Sequence, residues 1–395
     1  MSKEKILLFI LAAIQFTHIV DFMIVMPLGP QLMRLLDMNP QQFALMVSSY
    51  TFSAGVVGFL FAFVADKFDR KQVLLFSFLC FTVGTFSCGF ANSYEFLLAA
   101  RIVTGAFGGV MNALVYSIIA DAFPFERRGA AMGVVMASFS FAAAVGVPLG
   151  LFLASLADWH LPFHALGGAG ILISIGIYLY IPALRAHIGK GAEDARIFDF
   201  LLNIGRTKNL LKALLFMFLM VMGQFVVIPF ISPYMVSNMG ISEKELTYVY
   251  LLGGGATFFT NPWIGRLSDK YGKPKVFTIL ALLSVIPLFI VTNVQETALW
   301  LVLLVSVFFF VTISGRVVPG MTMITSAVEP QHRGSFMSIN SAVQQFSSAG
   351  ASMIGGMIVI TDAGGKLLNY QYAGYLAIAA TLLCILVSRR LKAVE

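Results

Sequence analysis

Long apolar runs broken by short polar clusters dominate this chain. Twelve such runs lie near 6–29, 43–65, 72–90, 95–120, 129–157 and 161–182, then 210–236, 245–268, 275–293, 298–326, 334–361 and 370–390. Each is about the length, some 20 residues, at which a helix crosses the hydrocarbon core of a bilayer. The pattern therefore predicts an all-α membrane protein with twelve transmembrane helices. Several runs are rich in Gly and Pro, which spanning helices tolerate because neighbouring helices satisfy the freed backbone groups.

The polar clusters carry an orientation. With the N-terminus in the cytoplasm, the loops facing that side hold Lys67, Arg70, Lys71, Arg127, Arg128, Arg266, Lys270, Lys273, Lys275 and Arg333. Both termini and the central segment add more. Only Arg34, Lys244 and Lys366 fall on the other side, and Arg101 and Arg316 lie inside runs. Such an excess of cytoplasmic cations is the positive-inside pattern. It places both termini in the cytoplasm of a cell whose inner membrane holds the protein. Trp159 and Trp300 fall at outer boundaries, where interfacial anchoring is expected.

Composition agrees and narrows the function. Of 395 residues, 58% are hydrophobic and 11% charged, too few charges to cover a water-facing surface. The net charge of +7 is read as cytoplasmic loops facing an anionic leaflet, not as a nucleic-acid site. Cys80, Cys88 and Cys384 lie in apolar runs and form no complete disulfide framework. The short basic N-terminus resembles the start of a signal peptide, but no small-residue cleavage site follows, so the first run is expected to stay as an anchor. There is no Gly-x(4)-Gly-Lys-Ser/Thr phosphate loop and no His, Cys and carboxylate grouping with metal-ligand spacing. No cofactor and no enzymatic activity are expected. The expected partners are a small-molecule solute, protons and lipid, with the chain acting as a monomer.

The most polar stretch, 183–209, divides the chain into bundles 1–182 and 210–395. The halves echo each other. Asp66-Lys67-Phe68-Asp69-Arg70-Lys71 follows the second run, and Asp269-Lys270-Tyr271-Gly272-Lys273 follows the eighth, with the two aspartates 203 positions apart. Arg128-Gly129 and Arg333-Gly334, 205 apart, open the fifth and eleventh runs. These loops resemble the Gly-x-Leu-x-Asp-Arg-x-Gly-Arg-Lys signature of the major facilitator superfamily. The first copy has Ala62 and Asp69 where the family has glycine. Arg101-Ile-Val-Thr-Gly105-Ala-Phe-Gly108-Gly109 is similar to the family's fourth-span motif. Gly146-Val147-Pro148-Leu149-Gly150 resembles the fifth-span motif of its drug:proton antiporters, with Val147 interposed before the proline. Within these, the chain is most like the sugar-efflux (arabinose-efflux-like) permeases. The resemblance implies two pseudo-symmetric six-helix bundles and a proton-coupled exporter of a small organic solute. Uptake by symport of a polar or anionic metabolite is the rival on the same fold, since a fold does not fix function.

Ionisable groups at membrane depth are functional candidates by default. Removal from water disfavours the charged form of a carboxylate, so Asp21 is the candidate proton carrier, with His18 one turn away to tune it. A structural pair with Arg101, or a polar cap facing an outer vestibule, is the plainer reading. The resemblance carries a proton-transfer role onto Arg101, with a backbone hydrogen bond as its alternative. Arg316 is expected either to bind an anionic or strongly polar solute or to pair with Asp21. Asp66, Arg70, Asp121, Arg128, Asp269 and Lys273 at helix ends form a candidate gate latch, or else only set topology. Tyr50, Asn112, Tyr116, Gln224, Asn340 and Gln344 are candidate solute ligands, polar residues in spans being as often inter-helix glue. Gln224 lies 203 positions after Asp21 as its neutral counterpart.

Overall fold

The computed structural model describes residues 3–62, 64, 67–185, 207–329 and 332–394; the side chains of Lys3, Ala62, Phe125 and Glu126 are not described. The first bundle contains Lys3–Ile24, Pro40–Ala62, Arg70–Cys88, Tyr94–Ala122, a fifth span made of Phe125–Phe141 and Val147–Leu156, and Leu161–Tyr180. The second contains a seventh span, Lys208–Phe225 extended by Ile231–Ser237, then Leu246–Tyr271, Lys273–Asn293, Leu299–Ser326, Arg333–Ile358 and Tyr370–Ser388. A short helix, Gly29–Leu35, follows the first span, and a two-stranded hairpin, Ile360–Thr361 with Leu367–Leu368, joins the last two. The expected twelve runs are these twelve spans, with ends shifted by a few residues. Among the described residues ten are long and apolar enough to cross a membrane. The eighth and eleventh are more polar, but at 26 residues each they reach about 39 Å, enough to span. The linker expected at 183–209 falls mostly on residues outside those described.

Local sequence sets the ends and bends. Asp69 caps the third span by accepting a hydrogen bond from the Lys71 N–H, and Ser93 caps the fourth through the Phe96 N–H, each satisfying an orphan donor. Pro148 has no N–H to give Ala144, and the chain answers with a π-turn over Ala142–Gly146, the usual way a helix absorbs a missing rung. Pro262, Pro287 and Pro319 lie inside the eighth, ninth and tenth spans.

Packing between the bundles is one-sided. At the end away from the termini a shared core joins them, with Ile24, Leu28 and Phe43 from the first against Val226, Phe230 and Tyr370 from the second. Phe43 meets Phe230 with ring centroids 5.9 Å apart, and Phe22 meets Phe225 at 6.2 Å. Arg34 and Glu243 form an ion pair across the same seam. At the end that holds the termini the cores separate. Leu11, Phe78 and Ile118 belong to one, Phe216, Phe277 and Met323 to the other. The buried apolar core is thus shared by the bundles at the far end and divided between them at the termini end.

One interfacial expectation is corrected. Trp159 is 2% exposed, stacked on His160 and set edge-on to Phe163, because the turn before the sixth span folds it inward. Trp300 is exposed.

Candidate functional site

Glycines on the fourth span bring three helices together at one level. A Cβ on Gly105 would lie 2.3 Å from the Tyr50 carbonyl oxygen, and one on Gly108 would lie 2.7 Å from His18 Nε2. Without those carbons the first and second spans close on Arg101. Its Nη1 donates to Asp21 Oδ2 at 2.8 Å and to the Asp21 carbonyl at 3.2 Å. Thr85 of the third span donates to Asp21 Oδ1 at 3.1 Å. The guanidinium sits 4.3 Å from the centre of the Tyr50 ring. Both partners are sealed, with Asp21 side-chain exposure 0% and Arg101 1%. Breaking such a pair from one side is costly, about 3–5 kcal/mol, because it strands a buried charge.

Around this pair lie polar atoms with no hydrogen-bond partner among the described residues: both ring nitrogens of His18, the Tyr50 hydroxyl and Arg101 Nε. His18 packs against the rings of Tyr50 and Phe81 and makes no hydrogen bond to Asp21. Gln15 donates to Asn112 Oδ1 at 3.2 Å, tying the first span to the fourth one turn closer to the termini end. Tyr116 is half-buried at the edge of the first bundle's core.

The second bundle has a different hub. Arg316, 2% exposed, donates to Ser284 at 3.1 Å, to Thr381 at 2.9 Å and to the Gly223 carbonyl at 3.1 Å. These groups come from the ninth, twelfth and seventh spans, so the charge is held by neutral acceptors inside its own bundle. Of the pairings expected for Asp21, the structure gives Arg101; Arg316 is turned toward the ninth and twelfth spans. Gln224 and Asn340 are buried, with Nε2 and Oδ1 unpaired among the described residues, while Gln344 is exposed.

At the termini end Arg70 Nη1 bonds Asp121 Oδ2 at 2.8 Å and the Ser117 carbonyl at 2.8 Å, joining the loop after the second span to the end of the fourth. Asp66 lies outside the described residues. Arg128 Nε donates to the carbonyl of Phe123, and Arg333 Nε to that of Val328. The two halves thus repeat the same link five residues back. Asp269 and Lys273 make an exposed contact at 3.5 Å. In the fifth span a Cβ on Gly146 would fall 2.3 Å from Val20 Cγ2, and one on Gly150 2.6 Å from Ile24 Cδ1. That motif with Pro148 therefore seats the first span. A Cβ on Gly254 of the eighth span would lie 2.2 Å from the Ala143 carbonyl oxygen, so the π-turn touches the other bundle.

Sequence reasoning missed Thr85, Ser284, Thr381 and the Gly223 carbonyl. A Ser or Thr inside an apolar run usually bonds its own helix, as Thr381 does to Ala377. Nothing in its spacing reveals a second partner on another span.

The Major Facilitator Superfamily profile matches residues 11–216 and 213–394. An uncharacterised MFS-type transporter of Bacillus subtilis (strain 168), YwfA, is 23% identical over 370 residues, covering 93% of this chain and 87% of that one. A probable sugar efflux transporter of Helicobacter acinonychis (strain Sheeba) is 24% identical over 250 residues, covering 63% and 62%. Among solved structures, a bacterial homologue of the human lysosomal transporter Spinster, inward-facing and unoccupied, superposes with TM-score 0.78 at 18% identity over 98% of this chain and 97% of that one. These matches agree with the twelve spans and the repeated loops, and the chain belongs to the Major Facilitator Superfamily, as a multi-pass membrane transporter and not an enzyme.

Proposed function

We propose that this transporter exports a small organic solute across the inner membrane in exchange for protons, with Asp21 carrying the proton and Arg101 as its charge partner. The observation that carries the reading is the sealed Asp21–Arg101 pair, held by Thr85 and capped by Tyr50. A carboxylate kept from water against one guanidinium has two stable arrangements, paired when ionised and released when protonated. Such an element is what coupling requires. The charge distribution supports a cytoplasmic side for the termini. On this reading the end where the cores divide is the cytoplasmic one, from which the solute loads.

Bundles 1–182 and 210–395, joined by the segment 183–209, rock against each other, the alternating access of such folds. Arg70 with Asp121 ties the loop after the second span to the fourth span in the cytoplasm-open state, and Asp66, Arg128 and the second-copy pair Asp269 and Lys273 belong to the same gate, re-pairing when that end closes. The solute meets Asn112, Tyr116, Gln224 and Gln344, with the unpaired atoms of His18, Tyr50 and Asn340 behind them. Export is also the activity in the name of the Helicobacter relative. The chain works as a monomer.

The test is transport in proteoliposomes with an imposed pH gradient, using radiolabelled pentoses and hexoses and a lipophilic cationic dye as probes. Inside-out vesicles should accumulate a probe when their lumen is acid, and Asp21→Asn should abolish that accumulation while leaving exchange at equal pH. Undiminished gradient-driven accumulation by Asp21→Asn would remove the coupling role. Accumulation only with the gradient reversed would assign uptake.

A further inference from the structure

Where the fifth and eighth spans meet at the far end, a cavity of about 240 Å³ opens between the bundles. The short helix Gly29–Leu35, the end of the fifth span and the loop before the eighth line it. An ordered water needs about 10–15 Å³ of such space, so this cavity admits a molecule of metabolite size. Helical spacing sets its walls. Positions 31, 34 and 35 face it from the short helix, and 151, 154 and 155 from the fifth span, each group on one helix face. Leu35 and the buried Leu151 form an apolar part. Four charges form the rest: Arg34 and Asp158 from the first bundle, Glu243 and Lys244 from the second.

These four charges are not equally engaged. Arg34 is paired with Glu243 across the seam. Asp158 accepts from the His160 N–H at 2.9 Å and lies 3.1 Å from that ring's Nδ1, yet its side chain is 56% exposed. Burial alone would raise the Asp158 pKa; the bonds from His160 outweigh it and hold the carboxyl below its ordinary value, so the group is an anion at neutral pH. Lys244 is exposed, and its ammonium has no partner among the described residues. The cavity thus offers an unpaired cation from one bundle and an accessible anion from the other. A simple anion at Lys244 would meet Asp158 and Glu243, and a simple cation at Asp158 would meet Arg34 and Lys244, so like charges reject both. A molecule that carries both charges satisfies both ends, and its uncharged part rests on Leu35 and Leu151. We propose that this cavity is a binding site for a zwitterion with a primary ammonium and a phosphodiester a few bonds apart, the ammonium on Asp158 and the phosphodiester on Lys244. A free ethanolamine phosphodiester and the headgroup of phosphatidylethanolamine share that chemistry. Each bundle supplies one charge, so the ligand is held while the bundles share their far-end core, and its binding favours that arrangement. This last effect rests on the rocking proposed above; the site itself does not.

The experiment has two arms on the purified full chain. In detergent, glycerophosphoethanolamine is titrated and binding is read as a rise in melting temperature. Glycerophosphocholine, whose methylated ammonium has no N–H to donate, and ethanolamine or glycerol phosphate alone are the matched probes. In the second arm, protein from vesicles of equal phosphatidylethanolamine, phosphatidylcholine and phosphatidylglycerol is sprayed for native mass spectrometry, which counts the lipids retained. The ethanolamine form should be preferred in at least one arm: a response in the first assigns a free zwitterion, and a response in the second alone assigns the lipid. Lys244→Gln and Asp158→Asn should each weaken that preference by about three- to tenfold. Lys366→Gln, an exposed cation paired with Glu296 away from the cavity, should leave it unchanged. No preference for the ethanolamine form in either arm overturns the proposal, as does a preference that both cavity variants retain. Should Asp158→Asn misfold, Lys244→Gln alone decides. Gly254→Ala leaves every lining side chain in place and crowds the seam, so it should weaken binding as well. Undiminished binding there would overturn the coupling to the far-end arrangement and leave the site standing.

Discussion

Gly254→Ala tests whether the closure seen at the far end is a packing state or a fixed feature of the fold. The new Cβ would stand 2.2 Å from the Ala143 carbonyl oxygen and 3.0 Å from the Ala144 Cα. Ordinary carbon–oxygen contact begins near 3.3 Å, so the eighth span must retreat from the fifth by about 1 Å. Both neighbours are backbone and no rotamer change relieves them. Overpacking of this kind costs about 1–3 kcal/mol, and at 1.4 kcal/mol per factor of ten the closed state loses about five- to 150-fold. The contact joins the two bundles, so the cost falls on the closed state and is relieved when the far end opens. Gly109→Ala is the matched control. Its Cβ would stand 2.2 Å from the Ala54 carbonyl oxygen, an equal clash, but inside the first bundle and present in every rocking state. With Cys80, Cys88 and Cys384 replaced by Ser and spin labels at Asn92→Cys and Gln295→Cys, exposed loop sites of opposite bundles at the far end, the distance read by pulsed electron resonance should lengthen in Gly254→Ala and stay as in the parent in Gly109→Ala, which should instead melt at lower temperature. A parental distribution in Gly254→Ala, or an equal shift in both, would refute the reasoning.

Two smaller effects follow from the loops. Arg34 and Glu243 pair across the far end with side chains 62% and 23% exposed. Exposed pairs are worth about 0.2–1 kcal/mol, so Glu243→Gln should open the far end by no more than about fivefold, and 1 M salt should erase the difference between variant and parent; a larger or salt-independent shift would disprove a screened pair. Burial alone would raise the Asp69 pKa; the bonds from Arg185, Leu184 and Lys71 outweigh it and hold the carboxyl below its ordinary value of 3.8. Its contribution to stability is therefore complete above that pH and is lost as pH falls through the lower value it has in the fold. Melting of the detergent-purified parent between pH 6 and pH 3 should therefore fall more steeply than that of Asp69→Asn, and parallel curves would show that the carboxylate gains nothing from Arg185.

The spans were legible because each is a long local signal, a run of apolar side chains whose meaning needs no partner. The eighth and eleventh show why the signal also survives dilution. Glycine, serine and amide residues lower their hydropathy, yet their length and the repeat at 269 and 333 keep them in register. Asp21 and Arg101 were legible singly for a related reason, since a charge in an apolar run is conspicuous whatever it touches. Their pairing stood there only as one reading among several, because residues 80 positions apart meet through the glycine face at 105 and 108, and a missing Cβ leaves no mark that tells which helix fills its place. Arg316 makes the same point in reverse. From the sequence it is expected to bind a polar solute or to pair with Asp21. The acceptors that hold it are two hydroxyls and a carbonyl, groups common to every helix and so invisible until the ninth, twelfth and seventh spans are packed. Asp69 shows in the sequence only as a carboxylate where the family pattern has glycine. Its donors lie 115 and 116 positions away, on a connection whose course no periodicity encodes. A departure from a family pattern thus marks where to look for bonds peculiar to this chain, and only the folded course of residues 184 and 185 shows what the bonds are to.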